Sequence, residues 1–587
     1  MKKYIIFLSI VCSVAFMTSC NDMLDLQNDG RIAMDEVFGT RNGVRGYLNA
    51  CYDYRLSAYY EWASLTDDAQ DADGIFGNSL YSYWYANGFS ASFFLAVDGS
   101  PWETLYTGIR KCNVFIAGME DVTTSTIVAT ETELASWKAQ AHVLRAYYYL
   151  QLIKRYGAVP LLTEAYAVDH DYAVDRRAPV SEVVAQILAD CDAALSTPAV
   201  PDGFSWTVTA GQRGIMTRAV AWAVKSQAVT LAASPFFSDG TYTWADATRI
   251  NREALSSCLA NGYELFSDVP APDIAQNAYA LYFITRSDEQ RAYDRETIYG
   301  GSTVSVWQNA GMPSTPGQVT AGSCPTQELV DSYEMQATGE PPVIGYSDAR
   351  HLQPVINTAS GYDPENPYEG RDPRFYASIY YNGATRRLGE PDAVETYAGA
   401  TDGITATDRR TTRTGYYLRK YNNWRSERDN SADGEVRKLR LAELYLNFAE
   451  SAYQSDGPDA VIDMGNGLSM SARDAVNAIR TRAGMPPFPA GMTKEAFEKK
   501  YRNERRVEMA FEESRYFDVR RWKILEESER YVTGMKITQT DDGFNYERIG
   551  FERASGIEKY YLYPINATEA TKMLDQTGVN WQNPGWN

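Results

Sequence analysis

The 587 residues are long enough for several domains and a large buried core, and 44% hydrophobic with 22% charged residues is an ordinary globular composition. Acidic residues outnumber basic ones by 76 to 56, and the formal net charge of −20 disfavours nucleic acid and anionic membrane surfaces as ligands. The 42 tyrosines and 12 tryptophans offer flat apolar faces with a polar handle, which suits the capture of sugars or peptides.

The N-terminus, residues 1–19, has the pattern of a secretory signal peptide. Two lysines precede an apolar run over residues 4–17 that is too short to span a bilayer. The run ends in MTSC, which is similar to a lipobox although Met17 stands where leucine is usual. Cleavage before Cys20 would free its thiol and amino group for acylation, so residues 20–37 are predicted to be a lipid-anchored tether. A secreted protein without lipid is the alternative.

Helical periodicity dominates residues 38–265. The predicted helices cover residues 43–58, 102–119, 133–156, 180–195, 215–233 and 252–263. Their apolar positions recur at steps of three and four residues, and small residues recur at the contacts between neighbours. This pattern predicts helix pairs stacked into a solenoid, although the irregular period supports no more than pairs.

An acidic and aromatic stretch interrupts these helices and is the first candidate ligand site. It contains Asp67, Asp68, Asp71, Tyr83 and Trp84. Carboxylates accept hydrogen bonds from vicinal hydroxyls, and a ring face covers the C–H side of a sugar, so the mixture suits glycan capture. The alternative is a solvated acidic loop with Trp84 folded into the core.

Residues 266–436 form a second, irregular lobe, because glycine and proline are frequent and long helical stripes vanish. Its segment 300–325 carries Trp307 and Asn309, with Cys324 near the end and Tyr421 as a possible neighbour from a later strand-like segment. Long loops are usually functional or disordered, and a tryptophan argues against disorder. We predict a second group of ligand contacts here. A tryptophan that fills the gap between the lobes is the alternative.

Helical patterns return in residues 437–526, with predicted helices at 439–452 and 472–483, and residues 527–587 are expected to cover the fold. Residues 502–522, RNERRVEMAFEESRYFDVRRW, carry an apolar stripe without glycine or proline. The charges form four possible pairs three residues apart: Arg505 with Glu508, Glu512 with Arg515, Arg515 with Asp518, and Asp518 with Arg521. The segment, called the spine below, is predicted to be one partly buried, internally neutralised helix.

The spine closely resembles the signature helix of SusD/RagB proteins, surface lipoproteins that capture nutrients for an outer-membrane transporter. Further segments resemble that family in the same order: HVLRAYYYLQLIKRYGAVPLL at 142–162, PTQELVDSYEM at 325–335, RDPRFYASIYYNG at 371–383, LRLAELYLNFAES at 439–451 and YYLYPIN at 560–566. The resemblance covers nearly the whole chain. It implies a mostly α fold, a tetratricopeptide-like solenoid of helix pairs with a loop-rich lobe containing short strands.

The resemblance also implies a function. Such a protein captures an oligosaccharide and delivers it to a SusC-like TonB-dependent transporter, without a cofactor. Acidic residues just after Cys20 resemble the signal that directs family members to the outer face of the outer membrane. Stacking would come from Trp84 and Trp307, and hydrogen bonds from acids such as Asp67. Peptide capture, as in RagB-type members, and a helical scaffold for protein partners are the alternatives.

Catalysis and metal binding have little support in the sequence. The three histidines are far apart, and no GxSxG, HExxH or P-loop string occurs. On a helix, the separations of Glu443 from Glu450 and of Glu508 from Glu512 along the axis are near those of the two carboxylates in glycosidases. Arginines around the second pair would, however, lower its pKa values. No enzyme and no metal site is predicted. Five cysteines remain after the signal peptide and Cys20, and they are expected to be buried free thiols.

Overall fold

The computed structural model describes residues 34–57, 60–167, 169–198, 203–207, 214–267, 277–284, 294–300, 306–386, 393–422 and 434–586, and the backbone of 302–304. The predicted signal peptide, Cys20 and most of the tether lie outside this range. Within it, no helix combines the length and the apolar character that crossing a membrane requires.

Helices make up most of the regular structure. In chain order they are α1 Met34–Phe38, α2 Arg41–Tyr52, α3 Leu80–Tyr85, α4 Pro101–Gly118, α5 Glu131–Tyr156, α6 Val180–Leu195, α7 Arg218–Ala233, α8 Trp244–Ala260, α9 Ala278–Ile284, α10 Val306–Asn309, α11 Gln327–Ser332, α12 Pro373–Ser378, α13 Leu441–Ser455, α14 Ala472–Ala483, α15 Lys494–Glu508, α16 Ser514–Arg521, α17 Leu525–Glu529 and α18 Ala567–Thr577. The mostly helical fold predicted from the sequence is confirmed.

Most strands have four residues or fewer and lie in the irregular lobe, whereas the C-terminal β13 and β14 have ten residues each. They are β1 Ala69–Asp71, β2 Thr297–Tyr299, β3 Ser302–Val304, β4 Ser323–Pro325, β5 Val343–Tyr346, β6 Pro354–Ile356, β7 Ile379–Tyr380, β8 Tyr417–Leu418, β9 Gly434–Val436, β10 Leu439–Arg440, β11 Ile462–Gly465, β12 Leu468–Met470, β13 Tyr531–Thr540 and β14 Gly543–Glu552. All pair antiparallel in two-stranded sheets: β1 with β4, β2 with β10, β3 with β9, β5 with β6, β7 with β8, β11 with β12 and β13 with β14.

The solenoid is continuous in space although the lobe interrupts it in sequence. Helices α4 to α8 pack each on the next, and α13 then docks on α8 and α14 on α13. Asn251 of α8 joins the two halves, because its amide donates to the Asn447 carbonyl at 3.0 Å and to the Ser451 hydroxyl at 3.1 Å. A buried amide with both donors satisfied fixes how the two helices pack.

Local signals set the helix ends. Thr130 and Glu133 form a capping box that starts α5, and Gly157 at φ 69° ends it. Ser471 and Asp474 form the same box at the start of α14, which ends at the left-handed Gly484. These short-range signals explain why the predicted bounds of α5, α6 and α14 match the structure to within two residues.

The spine is interrupted, which corrects the prediction of a single helix over residues 502–522. Helix α15 ends at Glu508 and α16 starts at Ser514. Between them Phe511 and Glu513 adopt positive φ angles of 62° and 68°. No glycine or proline marks this break, so the sequence pattern contained no sign of it.

Buried side chains from the lobe donate hydrogen bonds to the carbonyl groups that lose their helical partners at the break. The Lys420 ammonium donates to the Ala510 carbonyl at 2.7 Å, and the Tyr421 hydroxyl donates to the Phe511 carbonyl at 2.9 Å. Because a buried unpaired carbonyl is costly, these donors offset the lost helical hydrogen bonds. The lobe and the spine therefore hold each other in place.

Most spine charges are neutralised between α15 and α16 or by other segments, and one predicted pair forms within a helix. Of the four predicted pairs, only Asp518 with Arg521 forms, at 2.8 Å. Arg505 instead binds Asp518 at 2.7 Å, and Arg515 binds Asp67 at 2.7 Å. Hydrophobic residues of the spine contribute to the cores of both the solenoid and the lobe. Buried arginines that satisfy acids from several segments make the spine the common contact of the fold.

Candidate functional site

The predicted acidic ligands Asp67 and Asp68 are bound by arginines of the spine. Arg515 donates to both oxygens of Asp67 at 2.9 and 2.7 Å, and Arg506 donates to Asp68 at 2.7 Å. Burial opposes the ionisation of Asp67, but Arg506 and Arg515 outweigh it and hold its pKa at about 2. Asp67 is ion-paired and 4% exposed, and Asp68 is fully buried with one oxygen bound by Arg506, so neither acid is exposed to accept hydroxyls from a sugar.

Asp71 and Trp84 are also buried. The Asp71 carboxylate accepts hydrogen bonds from the Asp73 amide at 2.8 Å and the Ser64 hydroxyl at 3.2 Å, and burial raises its pKa to about 7. Trp84 is 1% exposed, with its ring centroid 4.4 Å from that of Tyr560. The expectation that this ring faces solvent is wrong, since packing a large apolar ring into the core is the more favourable arrangement.

The second predicted group is divided between core and surface. Trp307 is 2% exposed and belongs to a small hydrophobic cluster with Cys324 and Tyr380. Tyr421 is buried as well, and its hydroxyl is used by the break in the spine. The predicted stacking of a sugar on Trp307 is therefore wrong, because its ring is buried in the core like that of Trp84. Only Asn309, at the end of α10, is exposed, and its role in ligand binding stays a prediction.

The carboxylate pairs lie in buried ion-pair networks. Arg440 and Arg374 donate to Glu508 at 2.7 and 3.0 Å, and Arg482 binds it as well. Burial disfavours the charged form, yet the guanidiniums hold the pKa of Glu508 at about 2. Burial acts in the same way on Glu450, where Arg521 lowers the pKa. A carboxyl group that stays ionised in this way is unsuited to act as a general acid.

The described cysteines are all free and buried, as predicted: Cys51, Cys112, Cys191, Cys258 and Cys324. Among the described residues, no group of three or more histidine, cysteine, aspartate or glutamate side chains is arranged to hold a metal ion.

A cavity lined by several aromatic side chains lies elsewhere, at the N-terminal end of α4, and we call it the aromatic groove. It has a volume of about 770 Å³, within the range of small-molecule sites. Its floor is one face of α4, because Trp102, Tyr106, Arg110 and Asn113 follow at steps of three and four residues. Trp102 and Tyr106 are half-buried, with ring centroids 4.9 Å apart.

One wall of the groove is the segment after α5. It presents Tyr166, which is half-buried, and Tyr172, which is 37% exposed. The His170 ring stacks on Tyr166 with centroids 3.4 Å apart, and Asp175 accepts hydrogen bonds from the Tyr166 hydroxyl at 2.7 Å. Asp175 also lies 2.9 Å from the His170 ring nitrogen Nε2. These contacts orient the ring of Tyr166.

The opposite wall is the C-terminal segment, with Glu569 and Met573 of α18 and the buried Trp581. Arg177 attaches this segment to the end of α5. Its guanidinium donates to the Trp581 carbonyl at 2.6 Å and the Tyr156 carbonyl at 2.9 Å. Burial lowers the pKa of Arg177 to about 10. Arg177 and Trp581 are 404 residues apart in sequence, and the half-buried guanidinium of Arg177 holds the two walls in register.

Among the predicted site aromatics, Tyr83 is half-buried, whereas Trp84, Trp307 and Tyr421 are buried. The Tyr83 ring lies 5.7 Å from Phe89, which lies 5.3 Å from Phe94. Phe94 lines the groove. Tyr83 does not line the groove and is linked to it only through the buried Phe89, and its contact with a ligand stays a prediction.

Sequence reasoning missed the aromatic groove. A signal existed on α4, where two aromatic residues four apart lie at the first turns of an otherwise ordinary helix. Nothing in the sequence indicated that Tyr166 and Glu569 would face them, because the walls meet only after the C-terminal segment returns to α5.

A second cavity of about 790 Å³, which we call the charged cleft, lies between α15 and the β5–β6 hairpin. Asp67 reaches its floor, and the stacked rings of Tyr346 and His351 line one side with centroids 4.2 Å apart. Acidic and basic side chains are mixed on its walls. Several neutralise each other, such as Lys500 with Glu340 at 3.2 Å.

Two family models match the chain. Residues 283–586 match the model described as the SusD family, and residues 22–228 match one described as starch-binding associating with outer membrane. The first covers more than half of the chain. The chain belongs to the SusD family. The family predicted from the spine and the segments around it is confirmed.

Solved structures of SusD-like proteins share the fold of this family member. A SusD-like protein from Bacteroides fragilis is 24% identical, with 94% of this chain and 100% of that chain covered and a TM-score of 0.73. The surface glycan-binding protein A from Bacteroides fluxus is 20% identical, with 93% and 99% covered and a TM-score of 0.56. A SusD-like protein of Formosa agariphila is 25% identical over 211 residues, which are 33% of this chain and only 38% of that relative.

Proposed function

We propose that this SusD-family protein is a lipid-anchored, cell-surface protein of the outer membrane that binds an oligosaccharide and delivers it to a SusC-like TonB-dependent transporter. It binds without chemical conversion and without a cofactor. We place the glycan in the aromatic groove. The observation that carries this proposal is the combination, in one open cavity, of partly exposed aromatic rings with carboxylates and hydroxyls.

The chemistry of the groove matches that of a sugar. The rings of Trp102, Tyr166 and Tyr172 offer apolar faces to the C–H side of pyranose rings. Glu103 and Glu164 are exposed at the same cavity and can accept hydrogen bonds from hydroxyls. Most of these groups lie on α4 or on the segment held against it, so the site is largely formed before binding.

Calorimetric titration tests the site. With a panel of neutral oligosaccharides that includes malto-oligosaccharides, we expect Trp102→Ala to weaken binding about tenfold or more, since a lost stacking contact and its buried area are worth at least about 1.4 kcal/mol. Tyr172→Ala should weaken binding with little effect on stability, because that residue is exposed. Trp222→Ala, a half-buried tryptophan of α7 outside the groove, is the matched control. Equal affinities for all four proteins would refute the proposed site.

The anchor and the partner need separate experiments. A Cys20→Ala variant should lose incorporation of labelled fatty acid and leave the membrane fraction. Affinity purification of the membrane-bound wild type should recover a TonB-dependent barrel. A protein that stays membrane-bound and lipidated after the substitution contradicts the anchor assignment.

The charged cleft favours peptide capture as the second candidate function. Strand β5 pairs only with β6 in the described sheets, so its other edge has no strand partner there. An extended peptide can add to such an edge while its charged side chains meet the mixed walls. Ile344 of β5 is 52% exposed, and Ile344→Asp should weaken peptide binding but not glycan binding. Binding of glycans alone, with no peptide bound at any concentration tested, would exclude this candidate.

A further inference from the structure

The aromatic groove carries charges of mainly one sign. Among its described lining residues, the carboxylates of Glu103, Glu164, Asp175 and Glu569 face one guanidinium, that of Arg110. A ligand in the groove therefore lies in a negative local field. Because the groove is a concave site with low-dielectric walls, this field is stronger than it would be on an open surface.

The acidic groups differ in how far they are neutralised. Asp175 is used by Tyr166 and His170. The carboxylates of Glu103, Glu164 and Glu569 form no ion pair with any cation in the described part of the chain. Glu103 and Glu164 are exposed, and Glu569 is half-buried. Three carboxylates that line the cavity are thus not offset by an ion pair in the described part of the chain.

The basic groups near the groove do not compensate for this. One donor of the Arg110 guanidinium is already used, because its Nη1 donates a hydrogen bond to the Tyr166 carbonyl at 3.2 Å. Lys572 does not line the groove, and its ammonium lies over the ring of Tyr172, 4.2 Å from the ring centroid. The Arg177 guanidinium is turned toward the buried carbonyls of Tyr156 and Trp581.

We propose that the aromatic groove selects by charge: it accepts uncharged glycans and amino sugars and rejects sulfated or uronic-acid glycans. This inference rests on the proposed function, because it concerns the class of sugar that the same site takes. A sulfate or carboxylate group on the ligand would approach at least one unpaired carboxylate in the groove. It would meet one arginine instead of the cluster of donors that anion recognition uses.

The test compares one backbone with and without charge. Maltoheptaose and chemically sulfated maltoheptaose are titrated into the wild-type protein at low salt and at 1 M salt. We expect the neutral sugar to bind at least tenfold more tightly at low salt. The preference should shrink at 1 M salt, where the screening length falls to about 3 Å.

A triple variant, Glu103→Gln, Glu164→Gln and Glu569→Gln, removes the three unpaired charges. The measured quantity is the affinity for maltoheptaose divided by the affinity for sulfated maltoheptaose. We expect this ratio to fall by tenfold or more in the triple variant. The matched control, Glu365→Gln with Asp541→Asn and Asp542→Asn, removes the same net charge from exposed residues that do not line the groove. It should leave the ratio within threefold of wild type.

The outcomes separate the two proposals. If maltoheptaose binds through Trp102 but the sulfated sugar binds equally well, the selection by charge is refuted while the glycan site stands. An equal change of the ratio in the triple variant and its control also refutes it, because the effect would belong to the net charge. If the wild type binds neither sugar and no other member of the neutral panel, the proposed function fails and the inference fails with it.

Discussion

Glu508 lies at the centre of a buried ion-pair network that joins the spine to Arg374 of the lobe and to Arg440 and Arg482 of the second solenoid part, and Glu508→Gln tests how strongly that network stabilises the fold. The side chain is fully buried and bound by Arg374, Arg440 and Arg482. Glutamine keeps the volume and one acceptor but removes the charge. The positive charges of the three buried guanidiniums would then be balanced by one negative charge fewer.

The magnitude follows from the titration of Glu508. Its pKa falls from 4.5 to about 2 on folding. Since one pKa unit corresponds to about 1.36 kcal/mol, this shift stabilises the folded protein with ionised Glu508 by about 3 kcal/mol. Removing one partner of a buried ion pair typically costs about 3–5 kcal/mol. We therefore expect Glu508→Gln to lower the free energy of unfolding by about 3–4 kcal/mol at neutral pH.

The pH dependence has a defined sign. A carboxyl whose folded pKa is lowered stabilises the protein above its unfolded pKa of 4.5, and this contribution is lost as the pH falls toward 2. The difference between wild type and Glu508→Gln should thus be constant from pH 7 to about pH 5 and shrink below it.

Denaturant unfolding monitored by circular dichroism measures this difference, with midpoints and slopes compared at each pH. Glu340→Gln is the control, because its carboxylate is 42% exposed and pairs with Lys500. It should cost less than about 1 kcal/mol. A loss below about 1 kcal/mol for Glu508→Gln, or an equal loss at pH 3 and pH 7, would refute the reasoning.

Three further predictions concern buried residues. Trp84→Ala and Trp307→Ala should each lower the free energy of unfolding by about 3–5 kcal/mol but keep the glycan affinity of the folded protein, and loss of affinity at unchanged stability would restore their stacking role. Burial raises the pKa of the Cys324 thiol to about 12, so iodoacetamide should label it only after denaturation, and rapid labelling of the native protein would contradict its burial. Ser471→Ala removes the cap of α14 and should cost about 1 kcal/mol in denaturant unfolding, whereas an unchanged midpoint would show that the cap contributes nothing.

Short-range patterns were sufficient for several helices of the solenoid. The bounds of α6 and α14 follow from apolar periodicity and capping residues, such as Ser471 at the start and Gly484 at the end of α14. These signals act within a few residues, so they can be read without the tertiary structure. The family resemblance was also complete in the sequence, because the matched segments keep their order along the chain.

The candidate site could not be read in the same way. An aspartate such as Asp67 looks identical in a sequence whether it faces a ligand or an arginine 448 residues away. A tryptophan such as Trp84 looks the same in a core and in a pocket. The composition of residues 66–87 correctly indicated that these side chains take part in ring packing and hydrogen bonding. Their partners, however, are other residues of this protein.

The sequence by itself determined that the fold is mostly helical, that the charged spine is central, and to which family the chain belongs. Only the tertiary structure decided that the spine breaks at Phe511, that the predicted acids and tryptophans are internal, and that α4, the segment after α5 and the C-terminus enclose the aromatic groove. The physical reason is range. Helix formation and capping depend on neighbours a few residues apart, whereas burial, ion pairing and cavity formation depend on segments that meet only when the chain has folded.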